Sequence, residues 1–361
     1  MCENRNENKY EEPRNKLWGN IKSVLGMDAS NTISNKSELV TLPWADLQHN
    51  NASIRVYRSD DRDKALLLCG WKFAGAVAKG ATDGGASAVA AFIERLAEAE
   101  GEYARAAALA VFNLRLRLAV EMLKRGAEAE GGGGLSNLNV VAMALSGYSD
   151  DKNSMWRELC INSRSLLSDP YLRAMFAFLT AESDTYDGVL NEQGMAVSDQ
   201  VAFACTYLSN RRLADYLTEL GDRLTAAGDL TGLLLTGAGP DSVPLLQNHL
   251  DASGDVQSAS VLVARAYSAE LIGEEVAQGW IASYRTLLDT WRMWNQRAHF
   301  DIALSARNVV SRPVQQIFVA CNFCAKSISA SMQGLARIRG QYARIGTTSN
   351  RLKISSCPNW P

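Results

Sequence analysis

The chain has 361 residues, 47% of them hydrophobic and 21% charged. That is enough apolar material for a packed core and excludes global disorder. Its 37 Lys and Arg against 39 Asp and Glu leave a formal net charge of -2, which argues against a general nucleic-acid binder and against attachment to anionic lipid by charge alone.

A length near 360 residues corresponds to roughly two domains. The first residues, MCENRNENKYEEPRNK, are polar, carry both signs of charge and have no apolar stretch of the kind a secretory signal needs. No run reaches the ~20 apolar residues that cross a bilayer, and the run Ala65 to Trp71 stops at Lys72. The expected compartment is the cytosol, without direct membrane insertion, so the seven cysteines read as thiols or metal ligands, not as a disulfide framework.

Residues 1–40 read as a polar, flexible leader. One apolar cluster, Leu17, Trp18, Ile21, Val24 and Leu25, fits a short amphipathic turn or two. From 41 to 312 the pattern is helical. Over 102–125, Leu109, Phe112, Leu116, Ala119 and Leu123 recur at three- and four-residue steps and share one helical face. The string Leu114 to Leu118 alternates like a strand, but its long Ala-rich flanks favour helix. A helix follows Asn210 with the stripe Leu213, Tyr216, Leu217, Leu220 and Leu224, and Gly228 ends it. Asp229 is placed to cap a short helix carrying Leu230, Leu233 and Leu234. Asp241 or Ser242 is placed to cap the next, with Leu245, Leu246 and Leu250, which Gly254 stops. Asp255 opens another.

The longest predicted helix runs from Glu274 to Ala306. Val276, Trp280, Tyr284, Leu287, Trp291 and Trp294 form its bulky stripe, expected in the core or at a partner interface. No strand is expected before residue 313. Many short helices joined by Gly, Asp and Pro turns predict an all-α protein, an α-solenoid of stacked helical pairs. Its repeat is irregular, with flexible inserts at Gly131–Gly134 and around Gly84.

Composition shifts after Pro313, and residues 313–361 read as a partial zinc-binding domain. Val314 to Ala320 suits a strand, followed at once by Cys321-Asn322-Phe323-Cys324. Two thiolates at that spacing can hold one tetrahedral zinc from a tight turn. A redox pair and incidental thiols are the alternatives, the first disfavoured because no βαβ setting surrounds it. Cys357-Pro358 opens a possible second knuckle. Trp360 stands where its second Cys is expected, so Cys321, Cys324 and Cys357 supply three ligands where structural zinc takes four. The three histidines and the absence of Gly-x-Ser-x-Gly give no support to nucleophilic hydrolysis. Gly237-Ala238-Gly239-Pro240 lacks the Lys of a phosphate loop. Cys69, Cys160 and Cys205 sit in apolar settings and are expected to be buried as small hydrophobes; His249 and His299 are expected on helix surfaces or in packing.

Several strings resemble one family. They are Leu233-Leu234-Leu235-Thr236-Gly237-Ala238-Gly239-Pro240-Asp241-Ser242, Gly254-Asp255-Val256-Gln257-Ser258, Trp280-Ile281-Ala282-Ser283-Tyr284-Arg285, Arg297-Ala298-His299-Phe300-Asp301 and Cys321-Asn322-Phe323-Cys324-Ala325-Lys326-Ser327. A shorter match is Leu68-Cys69-Gly70-Trp71. Together they are similar to the missing-oocyte (Mio/MIOS) family and cover roughly residues 40 to 361. The resemblance implies a WD-repeat propeller, an α-solenoid and a RING-like zinc domain, of which this chain reads as lacking the propeller and the end of the zinc domain. It implies a non-catalytic scaffold subunit in the activating half of the GATOR (SEA) complex, which relays amino-acid sufficiency to TOR complex one. The implied partners are the other subunits, including propeller proteins shared with coat and nuclear-pore assemblies. The implied location is the cytoplasm, peripheral to lysosomal or vacuolar membranes. Two alternatives share the architecture: a coat or trafficking adaptor, and a RING-type ubiquitin ligase subunit, which would need a complete zinc core.

Overall fold

A computed structural model describes residues 20–27, 31–33, 35–46, 53–71, 84–129, 137–149, 151, 154–182, 185–265 and 269–307. The chain divides into two compact units, Met1–Arg297 and Ala298–Pro361. Of the second, residues 298–307, the later turns of one helix, are described.

The described residues are mostly helical, with one correction to the all-α expectation. Strands β1 (Glu38–Pro43) and β2 (Ser53–Arg58) form an antiparallel hairpin with Val40 opposite Val56 and Leu42 opposite Ile54. Those two pairs are the inward face of a period-2 pattern, too short to stand out against the helical signal around it. The hairpin is preceded by helix α1 (Ile21–Val24), where Asn20 accepts from Ser23 N–H at 2.6 Å. Ile21 and Leu25 are fully buried, and Asn20 Nδ2 donates to the Thr236 carbonyl at 2.8 Å. Residues 20–27 and 38–40, which composition assigned to a flexible leader, are therefore packed or paired. The expected solenoid start at 41 falls inside β1.

Helices follow as α2 (Asp60–Leu68), α3 (Gly84–Glu100), α4 (Tyr103–Phe112), α5 (Leu116–Ala129), α6 (Asn137–Ser146), α7 (Met155–Ser163), α8 (Pro170–Leu179), α9 (Asp187–Leu190), α10 (Val197–Tyr207) and α11 (Asn210–Ala227). Ser59, Ser154 and Asp169 cap α2, α7 and α8 through their side chains, the last with Pro170 in the first turn. α3, α4, α5 and α6 each pack on their chain neighbour, and α4 also packs on α8. α4 is buried from Ala106 to Phe112. Its four alanines there let neighbouring helices approach. At the α4–α5 contact, a Cβ on Gly126 would sit 2.6 Å from Tyr103 Cβ, so only glycine fits.

The predicted helix over 102–125 is broken. Leu114 takes a left-handed φ of 59°, at a cost of about 1–2 kcal/mol for a residue with a side chain. The break is held from elsewhere in the chain. Leu114 O accepts from Ala45 N–H at 3.0 Å. The Asp46 carboxylate accepts from Leu116 N–H at 3.0 Å and from Arg117 N–H.

The second half keeps most of its predicted punctuation. α11 runs to Ala227 with Leu213, Leu217, Leu220 and Leu224 buried, and Gly228 closes it at φ 64°. A Cβ on Gly228 would lie 2.6 Å from the His249 backbone nitrogen. Asp229 accepts from Thr231 N–H at 2.9 Å ahead of α12 (Leu233–Thr236). There Leu235 is the buried residue, whereas Leu230, Leu233 and Leu234 are half-buried. α13 (Val243–Ser253) carries buried Leu245 and Leu246, while Leu250 is half-buried. It grows directly from a 3-10 turn, so neither Asp241 nor Ser242 caps it by side chain. Asp255 accepts from Ser258 N–H at 3.0 Å and opens α14 (Val256–Arg265), followed by α15 (Ala269–Gly273).

The long predicted helix is two, α16 (Glu275–Thr290) and α17 (Trp294–Arg307), separated where Arg292 adopts φ 56°. The buried stripe of α16 is Ala277, Trp280, Ile281, Tyr284 and Leu288. Trp280 and Tyr284 are in the core as expected. Trp291 and Trp294 are 61% and 60% exposed, because the break turns them off the α16 face. A truncation test separates the two environments. Phe203, fully buried in α10, is expected to cost about 3–5 kcal/mol as Phe203→Ala. Trp291→Ala is expected to stay within about 1 kcal/mol. Urea denaturation of the two variants checks both, and equal losses would contradict the assignment.

Candidate functional site

The described residues concentrate their buried polar chemistry on α10. Asp199, in its first turn, is fully buried. One carboxylate oxygen accepts from Trp71 Nε1 at 3.0 Å; the other accepts from Arg105 Nε at 2.8 Å and Tyr171 Oη at 2.8 Å. Tyr171 Oη in turn accepts from Ala196 N–H at 3.1 Å. The donors arrive from the end of the α2 segment, from α4 and from α8, so one carboxylate joins four parts of the chain. Burial works against the Arg105 charge. Its hydrogen bonds to Asp199 and Glu102 outweigh that and raise its pKa above the ordinary value. Burial, and then the Asp199 charge, push the Tyr171 phenol up, so it stays a neutral donor. The helix N-terminus adds favourable field for a carboxylate at this position.

The other end of α10 meets a second buried charge. Arg62, 2% exposed, donates to the Cys205 carbonyl and, at 2.7 Å, to Asn210 Oδ1, and lies 5.2 Å over the Tyr57 ring. Cys205 O belongs to the last turn of α10, where unpaired carbonyls favour a cation. Desolvation lowers the Arg62 pKa. Between these ends, Phe203 and Tyr207 form an aromatic cluster with Phe112 and Phe178. Phe203 lies 4.9 Å from the Phe112 centroid and 4.6 Å from Tyr207. Tyr207 Oη donates to the Phe112 carbonyl at 2.6 Å.

These groups hydrogen-bond to one another and tie α10 to the segments around it. Among the described residues no cluster of three His, Cys, Asp or Glu is placed to hold a metal. No described helix is long and apolar enough to cross a membrane. The expected zinc ligands Cys321, Cys324 and Cys357 lie outside the described residues. Cys69, Cys160 and Cys205 are free, buried thiols, as their apolar contexts predicted. His249 Nδ1 donates to the Gly228 carbonyl at 2.9 Å and is a packing residue; His299 is exposed. Asp199, Arg105, Tyr171 and Arg62 escaped the sequence reading, and Trp71 entered it only as the end of an apolar run and of the Leu68–Trp71 string. Each is an ordinary polar residue in its own segment, and only the fold brings them together.

Met155 (79%) and Leu159 (62%), one turn apart on α7, and Leu166 (84%), in the turn after it, are exposed. Contiguous exposed apolar groups on a surface mark contact faces.

A body of short helices packed on their chain neighbours, with one hairpin at its start, defines an α-solenoid protein. Residues 1–207 match the family described as MIOS, alpha-solenoid, and the chain belongs to the MIOS family. It is 45% identical over 309 residues to a Xenopus laevis protein named GATOR2 complex protein MIOS-A, covering 85% of this chain and 34% of that protein. It is 36% identical over 358 residues to Drosophila melanogaster GATOR2 complex protein Mio, covering 98% of this chain and 38% of that protein. It is 32% identical over 240 residues to Saccharomyces cerevisiae SEH-associated protein 4, covering 63% and 22%. The chain thus spans about a third of the length of the first two relatives and less of the third.

The buried thiols yield a pH test. Burial raises Cys160 to about 11 and Cys205 to about 12 from 9.0, and Cys69 well above 9.0. A folded pKa above the unfolded one means stability that is complete below the unfolded pKa and lost as pH rises through the folded one. The urea midpoint is therefore expected to fall between pH 9 and 11, less steeply in Cys205→Ala. A midpoint independent of pH over that window would contradict it.

Proposed function

We propose that this chain is a helical, non-catalytic scaffold subunit of a GATOR2-type (SEA) complex that promotes amino-acid signalling to TOR complex one. The observation that carries this reading is its membership of the MIOS family, with relatives named as GATOR2 subunits at up to 45% identity. The saturation of the buried charges by one another supports an architectural role. The apolar face of Met155, Leu159 and Leu166 supports a contact with a neighbouring subunit, and we assign the partners to the other subunits of the assembly, propeller proteins among them. On this reading the chain is cytoplasmic and reaches lysosomal or vacuolar membranes through the complex.

The expected experiment is affinity recovery of the tagged chain with mass spectrometry of its companions. Wild type is expected to recover GATOR2-type subunits. Leu159→Glu with Leu166→Glu is expected to reduce that recovery about tenfold, since charge in a contact core is strongly unfavourable, at unchanged melting temperature. Wild type recovering none of these subunits would overturn the reading, and equal recovery by the double variant would remove this face from it.

We also propose that Cys321, Cys324 and Cys357 contribute thiolates to a zinc site. Three thiolates suit zinc chemically and leave one position of the tetrahedron to another ligand. One zinc per purified chain, lost in Cys321→Ser/Cys324→Ser, is expected; zinc-free wild-type protein contradicts it.

A further inference from the structure

The joint between α4 and α5 has the hydrogen bonds of a glycine-ended helix without the glycine. Leu114 N–H donates to Val111 O and Arg115 N–H to Ala110 O, each at 2.9 Å. These are the paired bonds of a Schellman end, in which the left-handed residue is usually Gly. Here it is Leu114, at φ 59° and 4% exposed. The residues across the joint carry the stripe of one continuous helix, so nothing in the local pattern calls for a stop.

What holds the stop comes from the turn after β1. Ala45 N–H donates to Leu114 O, and both oxygens of Asp46 accept the first free N–H groups of α5, Leu116 and Arg117. The same turn begins with Trp44, 3% exposed, whose ring lies 5.3 Å from that of Tyr148. Among the described residues Trp44 Nε1 is the one buried side-chain nitrogen or oxygen with no hydrogen-bond partner. Docking this turn therefore buries the Trp44 indole N–H without a partner. That group improves when the turn leaves, because the indole reaches water, whereas Leu114 stays left-handed for as long as α4 reverses onto α5. Against that stand three backbone N–H bonds, two of them charge-assisted.

We propose that Trp44–Asp46 is a detachable clasp on the α4–α5 joint. It opens locally, without global unfolding, and its closure fixes the joint between these helices from the hairpin side. A contact made by three residues and carrying an unpartnered buried donor, against helices whose own packing is extensive, is the arrangement of an element that opens below the global transition.

Amide hydrogen exchange on the full chain, resolved by residue, tests it. In wild type, Ala45, Leu116 and Arg117 are expected to exchange together, at least about tenfold faster than Leu109 and Val111 in the α4 interior. Asp46→Ala is expected to speed exchange at Ala45 about fivefold or more, although Asp46 does not bond that amide, and to leave Leu109 and Val111 unchanged. Exchange of the three amides no faster than the α4 interior, or indifference of Ala45 to Asp46→Ala, would each overturn the clasp. If Asp46→Ala does not fold, the wild-type rates still decide.

Discussion

The fully buried Asp199 carboxylate is the constraint on which the first unit depends. A lone carboxylate in that position would be very costly to bury. It is tolerated because an arginine, a tyrosine and a tryptophan from three distant segments converge on it. Satisfying it fixes where the α2 segment, α4 and α8 lie along α10. Arg62 repeats the logic with opposite sign at the far end, pairing a buried cation with the Cys205 carbonyl in the last turn of α10 and with Asn210. Asn210 Nδ2 then reaches the Asn35 carbonyl, and Ser37 Oγ reaches Asn210, which ties the approach to the hairpin into the same network. α10 is thus held electrostatically at both ends and by Phe203 and Tyr207 in between.

The proposed architectural role draws on this design. The buried ionised groups have short, complete sets of partners, which makes them rigid. Hydrophobic surface remains outside, on α7 and at Trp291 and Trp294. A solenoid distributes its interior over many neighbouring pairs and leaves long faces for partners. The proposed role rests on membership of a family whose relatives are named GATOR2 complex proteins.

Elements governed by local chemistry were legible in the sequence. The stripe of α11, its stop at Gly228 and the caps at Asp229 and Asp255 appear in the structure because each depends on residues within a few positions. The breaks at Leu114 and Arg292 were not legible, since both put a side-chain-bearing residue where glycine is the usual signal. The first is bonded by Ala45 and Asp46, far away in the chain. The hairpin was missed because two six-residue strands offer only two inward pairs, Val40–Val56 and Leu42–Ile54. Trp291 and Trp294 share a period with Trp280, but the period lapses once the helix does. The Asp199 and Arg62 contacts join residues separated by much of the chain, and no spacing rule links them. The knuckle cysteines were the sharpest local motif, yet they fall outside the described residues.

The most direct test is a double-mutant cycle between Asp199→Asn and Arg105→Gln, read as unfolding free energy in urea. If the carboxylate and guanidinium are the coupled pair that organises α10, the double variant should be less destabilised than the sum of the singles by at least about 1.5 kcal/mol, within the range for residues sharing one network. Additivity within about 0.5 kcal/mol, the behaviour of independent sites, would contradict the account.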